Sequence, residues 1–170
     1  GIEMMSRVPM MSDQPAIFTD PTLAMDAQIL LMGSGADLIA SLYGCSRTEV
    51  DTIALQSQRR AAAARDAGYF SSIVPIHNTV TGQVVDADEC IRPETTLASL
   101  AALPASFTDL GRAGADAMQL RAYPQLTDIH HVHTAGNSPA MADAAALVLI
   151  GDEALSDKLA VRPRAVIKAM

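Results

Sequence analysis

The chain has 170 residues, 49% of them hydrophobic and 18% charged, which suits one domain or parts of two and excludes intrinsic disorder. Its formal net charge of −7 disfavours non-specific binding to nucleic acid, because 12 Lys and Arg scattered among 19 acids cannot form a broad basic face. No membrane span is expected, since even the apolar run "AAALVLIG" stops after eight residues.

Two helices are predicted in the first half of the chain. Residues 33–43 carry apolar side chains at helical spacing and are followed by Gly44, which favours a short helix with a glycine C-cap. Residues 46–68 open with the capping box "SRTE", continue through an alanine-rich body and end at a glycine, which predicts a longer helix. The positions expected on the apolar sides are Ala36, Leu38, Ile39 and Leu42 in the first helix and Val50, Ile53, Ala54 and Ala61 in the second.

A β-hairpin and a third helix are predicted next. Residues 72–78 and 83–89 read as two strands joined around Gly82, and Pro75 places the first strand at an edge. Residues 94–103 carry three leucines on one helical stripe before a proline ends the helix.

The last third of the chain combines an irregular segment with a regular one. Residues 108–127 contain glycine and are of mixed polarity, so we interpret them as a surface insertion with a helical turn around "ADAMQLRA". Residues 144–151, 152–160 and 164–170 read as strand, helix and strand, with Asp152 as the helix N-cap. Such a β-α-β unit requires a mostly parallel sheet, so the C-terminal part is predicted to belong to an α/β core.

The cysteines and the chain ends indicate the cellular compartment of the protein and whether the sequence is a fragment. Cys45 and Cys90 stand far apart and outside any CxxC pattern, so we expect reduced thiols, no disulfide and a cytoplasmic protein. The N-terminal stretch "GIEMMSRVPMMS" lacks the basic and apolar regions of a signal peptide. Both ends read as the interior of a longer sequence, and a fragment is expected.

The sequence "HHVH" at residues 130–133 is a candidate site. On a strand, His131 and His133 would point the same way, and this spacing can place two imidazoles on one zinc ion. No Cys, Asp or His stands at an obvious spacing to supply a third ligand. Partly exposed strand-edge histidines without a metal are therefore favoured over a metal-dependent hydrolase.

The other polar patterns have plainer interpretations. The acids of "DADE" at residues 86–89 could act as acid and base if burial separated their pKa values, but such a cluster is typical of a solvated turn. Cys45 and Cys90 lack a neighbouring His, which favours structural thiols over nucleophiles. The "MGSG" of residues 32–35 could receive a phosphate, yet a plain helix start is favoured. Asp143 reads as a buried acid.

Taken in order, eight blocks of the sequence resemble the middle of a thiolase. They are "GIEMMSRVP", "MGSGADLIA", "SRTEVDTIALQSQRRAAAARDAGYF", "IVPI", "DECIRPETTLASLAAL", "ASF", "HTAGN" and "DAAALVLIGDEA". The resemblance covers the chain, is weakest in an insertion at about 108–129, and looks closest to bacterial acetyl-CoA acetyltransferases or 3-ketoacyl-CoA thiolases. It implies an α/β fold in which 1–8 and 139–170 belong to the thiolase N-terminal αβα half, with its mostly parallel sheet. Residues 9–138 would form a mixed α+β loop domain that binds coenzyme A.

The resemblance also implies the chemistry of the whole enzyme. Thiolases carry out Claisen condensation or thiolysis, in which one Cys takes the acyl group, a His activates it and a second Cys moves protons. No catalytic residue is expected in this chain, because the nucleophile should precede Gly1 and the other motifs should follow Met170. The expected substrates are CoA and acyl-CoA, without a covalent cofactor or a metal. A homodimer or homotetramer is expected of the full-length enzyme, with neither nucleic acid nor membrane as a partner.

Residue by residue, the resemblance places eight positions against CoA. The pantetheine arm is expected to meet Leu23, Met32, Ala135 and Gly136, and the adenine end with its phosphates to meet Arg92, Ser99, Leu100 and Phe107. Arg92 would supply the local cation that an anionic ligand needs, because guanidinium pairs with phosphate and stacks on purines. A surface salt bridge to Asp88 or Glu89 is the alternative. Ala135 and Gly136 would be small because the ligand passes their backbone, and "AALVLIG" would be a strand covered on both faces.

Several positions depart from the usual thiolase pattern: Leu31, Pro139, Ala140, Ala142 and Ala144. Pro139 stands where the family usually has a serine whose hydroxyl meets the pantetheine arm, and proline offers neither hydroxyl nor N–H. These departures bear on acyl-chain preference and on that hydrogen bond rather than on the fold.

Two classes of function follow from the resemblance. The first is a partial thiolase that supplies the CoA-binding lobe and does not catalyse by itself. The alternative is a thiolase-like protein without catalysis, which carries acyl-CoA or lipid or serves as an assembly partner. A nucleophilic cysteine encoded upstream would separate the two.

Overall fold

The computed structural model describes residues 1–169, with two compact units. One unit comprises residues 1–12 and 141–169, and the other comprises residues 13–140. Within the described residues, the buried hydrophobic side chains all belong to the second unit: Leu38, Ala40, Leu55, Leu100, Ala115, Ile129 and Val132. The domain boundaries that the resemblance implies concern functional lobes and stay a prediction.

The described residues are rich in helix and contain only short strands. The helices are α1 (Ala16–Thr19), α2 (Pro21–Asp26), α3 (Met32–Tyr43), α4 (Arg47–Asp66), α5 (Leu97–Ala101), α6 (Thr108–Leu110), α7 (Asp116–Ala122) and α8 (Glu153–Leu159). The strands are β1 (Ile2–Glu3), β2 (Ile76–His77), β3 (Val84–Val85) and β4 (Ala144–Ala145). In this part of the chain, no helix combines the length and apolar character that crossing a membrane requires.

The helices predicted at residues 33–43 and 46–68 are confirmed as α3 and α4, although Ile39, predicted on the apolar side of α3, is 58% exposed. α3 ends at Gly44, whose φ of 65° lies in the left-handed region that glycine adopts without strain. α4 begins with the predicted capping box, in which the Ser46 N–H donates to Glu49 Oε2 at 2.8 Å and the Glu49 N–H donates to Ser46 Oγ at 3.3 Å. Each interaction joins residues three apart, so sequence spacing alone determines it.

The buried face of α4 is only partly the one predicted, because three of the four predicted positions are half-buried and the fourth is exposed. Ile53 is 67% exposed, whereas Asp51 and Leu55 are buried. The prediction was wrong at Ile53, and it missed Asp51 because it considered apolar residues only. A carboxylate can be buried when hydrogen-bond donors surround it, so an acid can belong to the buried face of a helix.

The predicted hairpin is confirmed, with strands of two residues each. β2 and β3 pair antiparallel, with Ile76 opposite Val85, and Gly82 turns the chain with a φ of 73°. The third predicted helix is α5, which starts at the cap formed by Thr96 and Ser99.

Residues 108–127 are more helical and more buried than a surface insertion. A π-helical turn, Gly111–Ala115, joins α6 to α7, and Gly114 kinks it with a φ of 130°. Gln119 of α7 is only 2% exposed, and its Nε2 donates to the carbonyl of Ser34 in α3 at 3.0 Å. The helical turn predicted around "ADAMQLRA" is confirmed as α7. The prediction of a surface insertion was wrong because a buried glutamine with a backbone partner looks like a surface residue in the sequence.

The unit of residues 1–12 and 141–169 contains one antiparallel pair and one helix. Ile2 of β1 lies opposite Ala145 of β4, and Asp152 caps α8 as predicted by accepting from the Leu155 N–H at 3.0 Å. Asp143 is exposed rather than buried, and its carboxylate accepts the backbone N–H and the hydroxyl of Ser6. The serine holds the pKa of Asp143 below its usual value through its side-chain hydrogen bond and then through its backbone.

The predicted parallel sheet is absent from the described residues, where both ladders are antiparallel. Residues 146–151 and 161–169 are not strands, and Leu147 is 99% exposed. The last residue of the predicted strand 164–170 lies outside the described residues. A parallel strand is stable only between neighbouring strands and beneath covering helices, and this unit supplies neither to residues 146–151.

Candidate functional site

The segment of residues 130–137 connects three parts of the larger unit. The backbone N–H of His130 donates to the hydroxyl of Ser41 in α3 at 2.8 Å, and the carbonyl of His133 accepts from the Ser106 N–H at 2.9 Å. Residues 130–137 form no strand and pair with none of the strands in the described part of the chain, so the prediction that the histidines lie at a strand edge was wrong. Helix α3 takes the place of a neighbouring strand.

The carboxylate of Asp37, in α3, is the first anchor of this segment. Asp37 is 0% exposed, and its Oδ1 accepts from the backbone N–H groups of Val132 and His133 at 3.1 and 3.2 Å. The two imidazoles complete its environment, with His133 Nδ1 2.7 Å from Oδ1 and His131 Nδ1 2.9 Å from Oδ2. Oδ1 therefore has three polar partners and Oδ2 has one, so both oxygens of the carboxylate are used.

His131 lies between two carboxylates. Its Nδ1 faces Asp37, and its Nε2 is 3.1 Å from Oδ2 of Asp116 in α7. Both ring nitrogens can donate only when the imidazole is protonated. Burial by itself would lower the pKa of His131, but the hydrogen bonds to Asp37 and Asp116, together with the charges of both carboxylates, raise that pKa above its ordinary value of 6.5. The arrangement is that of an ion cluster joining α3, α7 and the 130–137 segment.

This geometry bears directly on the zinc hypothesis. Both nitrogens of His131 face carboxylate oxygens, so neither points towards a site shared with His133. Among the described residues, no group of three or more His, Cys, Asp or Glu is placed to hold a metal ion. The two imidazoles are joined by Asp37 itself.

A second anchor holds the segment to α4. Asn137 Nδ2 donates to Asp51 Oδ1 at 2.8 Å and to the carbonyl of Val132 at 3.0 Å, while Asn137 Oδ1 accepts from the Thr134 N–H at 2.7 Å. Asp51 is paired in turn with Arg47, whose Nε lies 2.8 Å from its Oδ2. The turn at residues 134–137 is therefore stabilised by an internal hydrogen bond and by a hydrogen bond to Asp51, the buried member of the ion pair with Arg47.

Gly136 packs against α5. A Cβ at this position would lie 2.6 Å from Leu100 Cδ2 and 2.5 Å from Leu103 Cδ1, so a larger residue would force the leucines apart. Arg47 also holds this helix, because its Nη2 donates to the carbonyls of Leu100 and Leu103. Gly136 is half-buried against these leucines, whereas Ala135 beside it is exposed.

Phe107 packs against the first turn of α3. Its ring occupies the space that a Cβ on Gly33 would need, with ring atoms as close as 1.9 Å to that position. Met32, the residue before this glycine, is exposed at the start of α3. The "MGSG" stretch is thus the start of a helix, and the ring of Phe107 packs against it.

Arg92 is exposed, precedes α5 in the chain and contacts α4. Its backbone N–H donates to Gln58 Oε1 at 2.7 Å, and its Nη1 donates to the carbonyl of Cys90 at 2.9 Å. None of the ion pairs within residues 1–169 involves Arg92, so the alternative of a salt bridge to Asp88 or Glu89 is not observed.

The eight predicted CoA contacts fall into separate neighbourhoods. Gly136 lies against Leu100, which is 3% exposed, and Ala135 follows on the surface. The other contacts are at the start of α3 (Met32 and Phe107), around the start of α5 (Arg92 and Ser99) and in α2 (Leu23). The Ser99 hydroxyl is used in the cap of α5. The C-terminal end of α2 borders an open cavity of about 270 Å³ that it shares with α7. The assignment of these positions to CoA stays a prediction.

Residues that sequence reasoning missed are the buried acids and their partners: Asp37, Asp51, Asp116 and Asn137. One signal was present, because Ser34, Asp37 and Ser41 follow one another at helical spacing on the side of α3 that becomes buried or half-buried. Polar residues in this pattern indicate a helix face that meets backbone groups.

Comparisons with known proteins agree on one family. A model of the family described as "Thiolase, N-terminal domain" matches residues 1–119. A 3-ketoacyl-CoA thiolase of Yersinia pestis (strain Pestoides F) and one of Serratia proteamaculans (strain 568) are each 33% identical over 177 aligned residues, covering 100% of this chain and 40% of the relative. A crystal structure of human mitochondrial 3-ketoacyl-CoA thiolase in complex with CoA is 44% identical, with 46% of this chain and 20% of that chain covered and a TM-score of 0.43. The chain thus spans 40% of the length of these bacterial relatives.

Proposed function

Because the chain belongs to the thiolase family, whose N-terminal domain is an α/β fold, we propose that it is the CoA-binding part of an acyltransferase. The complete enzyme transfers acyl groups between CoA thioesters by Claisen condensation or thiolysis. Support comes from the relatives, which are named 3-ketoacyl-CoA thiolases and match along the whole of this chain. In this proposal the enzyme is a cytoplasmic homodimer or homotetramer.

The observation that supports the binding role best is the exposed turn at Ala135. The residue before it, Thr134, is 0% exposed, and Asn137 is tied to Asp51. The backbone at residues 135 and 136 is therefore held in place before any ligand arrives. Such pre-organisation lowers the entropy that binding must overcome.

Arg92 is the proposed partner of the nucleotide end of CoA. In a chain of net charge −7, its exposed guanidinium is free of carboxylates in the described residues, and its backbone is fixed on α4 by Gln58. A guanidinium can pair with phosphate oxygens in two places at once and can stack on a purine. Acyl transfer itself is assigned to residues outside this chain, since neither Cys45 nor Cys90 matches a thiolase motif.

Replacement of Arg92 by alanine tests the proposal. In the complete polypeptide, Arg92→Ala should raise the Kd of CoA about tenfold or more, because a charge-assisted hydrogen bond contributes about 1.5–3 kcal/mol. Turnover at saturating CoA should change little, since the residue is remote from the reacting carbon. Isothermal titration calorimetry and steady-state kinetics measure the two quantities.

A control is Arg112→Ala, which removes another exposed guanidinium, from the π-helical turn, where it pairs with Asp109. This control should leave the Kd of CoA unchanged. A large fall in turnover with unchanged CoA affinity in Arg92→Ala would contradict the proposed role. If the complete polypeptide without any substitution binds CoA but transfers no acyl group, the alternative of a non-catalytic carrier is favoured.

A further inference from the structure

We infer that Asp37 is a positioning residue for CoA: its buried carboxylate holds the 130–137 segment in the conformation that presents Ala135 and Gly136 to the ligand. The inference rests on the proposed function. It adds to the proposed CoA site a residue that does not touch the ligand itself and that affects binding by fixing the loop of residues 130–137.

The first argument is the number and origin of the partners of Asp37. Its four polar partners are two backbone N–H groups and two ring nitrogens, and all of them belong to residues 131–133. These residues immediately precede the turn at Ala135. The direct partners of the Asp37 side chain therefore all lie in one short segment, and its link to α7 runs through His131 of that segment.

The second argument is that the environment of Asp37 favours a carboxylate over an amide. Val132 and His133 offer backbone N–H donors to the same oxygen, Oδ1. In asparagine, one oxygen is replaced by an NH₂ group, which is a donor and cannot accept from N–H groups. Asp37→Asn thus keeps the size of the side chain but places its NH₂ group against Nδ1 of His131. The two are compatible only when that ring is neutral and carries its proton on Nε2, so the substitution removes the charge-assisted hydrogen bond.

The third argument concerns what remains when this anchor is lost. Asn137 would still be held by Asp51, and Gly136 would still face Leu100. The segment would be fixed on the α4 side and released on the α3 side. A released loop presents the binding conformation for only a fraction of the time, and the apparent Kd rises by the inverse of that fraction. If the fraction falls to about a tenth, the Kd of CoA rises about tenfold.

The test uses Asp37→Asn in the complete polypeptide, with Asp37→Glu and Asp109→Asn as controls. Asp37→Glu keeps the carboxylate, and Asp109→Asn makes the same chemical change at an exposed acid of α6. We expect Asp37→Asn to raise both the Kd and the KM of CoA about tenfold while kcat at saturating CoA stays near that of the unmodified enzyme. Both controls should bind CoA nearly as the unmodified enzyme does.

Three results would overturn the inference. The first is a folded Asp37→Asn enzyme with unchanged CoA affinity, and the second is a loss of kcat with unchanged KM. If Asp37→Asn does not fold, His133→Gln removes one ring from the carboxylate with less disturbance, and unchanged CoA affinity in that variant is the third result.

Arg92→Ala, measured in parallel, separates the two proposals. Weakened binding in Arg92→Ala alone refutes only the role of Asp37, whereas unchanged binding in both variants refutes the proposed function.

Discussion

His131 links the charge of one side chain to the stability of the larger unit. Its pKa is raised above 6.5 in the folded chain because the hydrogen bonds and charges of Asp37 and Asp116 outweigh burial. Below 6.5 the ring is protonated in both folded and unfolded chains, so its contribution to stability is fully present there. As pH rises through the folded pKa the ring loses its proton, and the contribution disappears.

We therefore predict that stability falls as pH increases from about 6.5 upward, and that His131→Asn reduces this pH dependence. Urea unfolding at a series of pH values measures the free energy of unfolding. The exposed His77, replaced by glutamine, is the control and should leave the pH dependence as it is. A His131→Asn variant with the full pH dependence of the original chain would show that other groups cause it.

At the same scale, resemblance and geometry identified different residues. The positions expected to touch CoA follow from eight ordered blocks of sequence, and most of them are exposed. Asp37 and Asn137 were not predicted, because their partners are remote in the sequence: Asp37 meets residues 94 to 96 positions away, and Asn137 meets Asp51 across 86 positions. No local spacing contains such a contact.

Among the elements, α4 offers the clearest test of a local signal. Its capping box satisfies N–H groups that the first turn of a helix otherwise leaves without partners. We predict that Ser46→Ala lowers the free energy of unfolding by about 1 kcal/mol, as measured by urea denaturation. Ser57→Ala, at an exposed position inside the same helix, should have little effect or stabilise slightly because alanine has the higher helix propensity. Equal losses in the two variants would argue against the cap.

Elements whose order is local were predicted well, and elements that need partners were not. α3, α4, α5 and the hairpin depend on caps, on helical spacing and on glycines with positive φ. Residues 144–151 have the composition of a buried strand, yet only Ala144–Ala145 forms one, in an antiparallel pair. A strand satisfies its backbone through a neighbour, and composition does not reveal whether a neighbour is present.

For the whole molecule, the two units differ in how much they bury. The unit of residues 13–140 contains the buried hydrophobic side chains of the described chain, whereas residues 147–150 of the other unit are 71–99% exposed. We predict that amide hydrogen exchange of this chain is slowest in α3, α4 and residues 132–134 and fastest in residues 146–151. Strong protection of residues 146–151 would mean that they are paired in solution, as the sequence composition indicated.

The sequence by itself determined the family, the helix caps, the hairpin turn and the absence of a long apolar span, because each of these depends on residue types at short or ordered spacings. Only the tertiary structure decided which faces are buried, that Asp37 and Asp51 hold the 130–137 segment, and that Gly136 packs against two leucines. The physical reason is that burying a charge is favourable only when donors surround it, and the donors here come from parts of the chain that folding alone brings together.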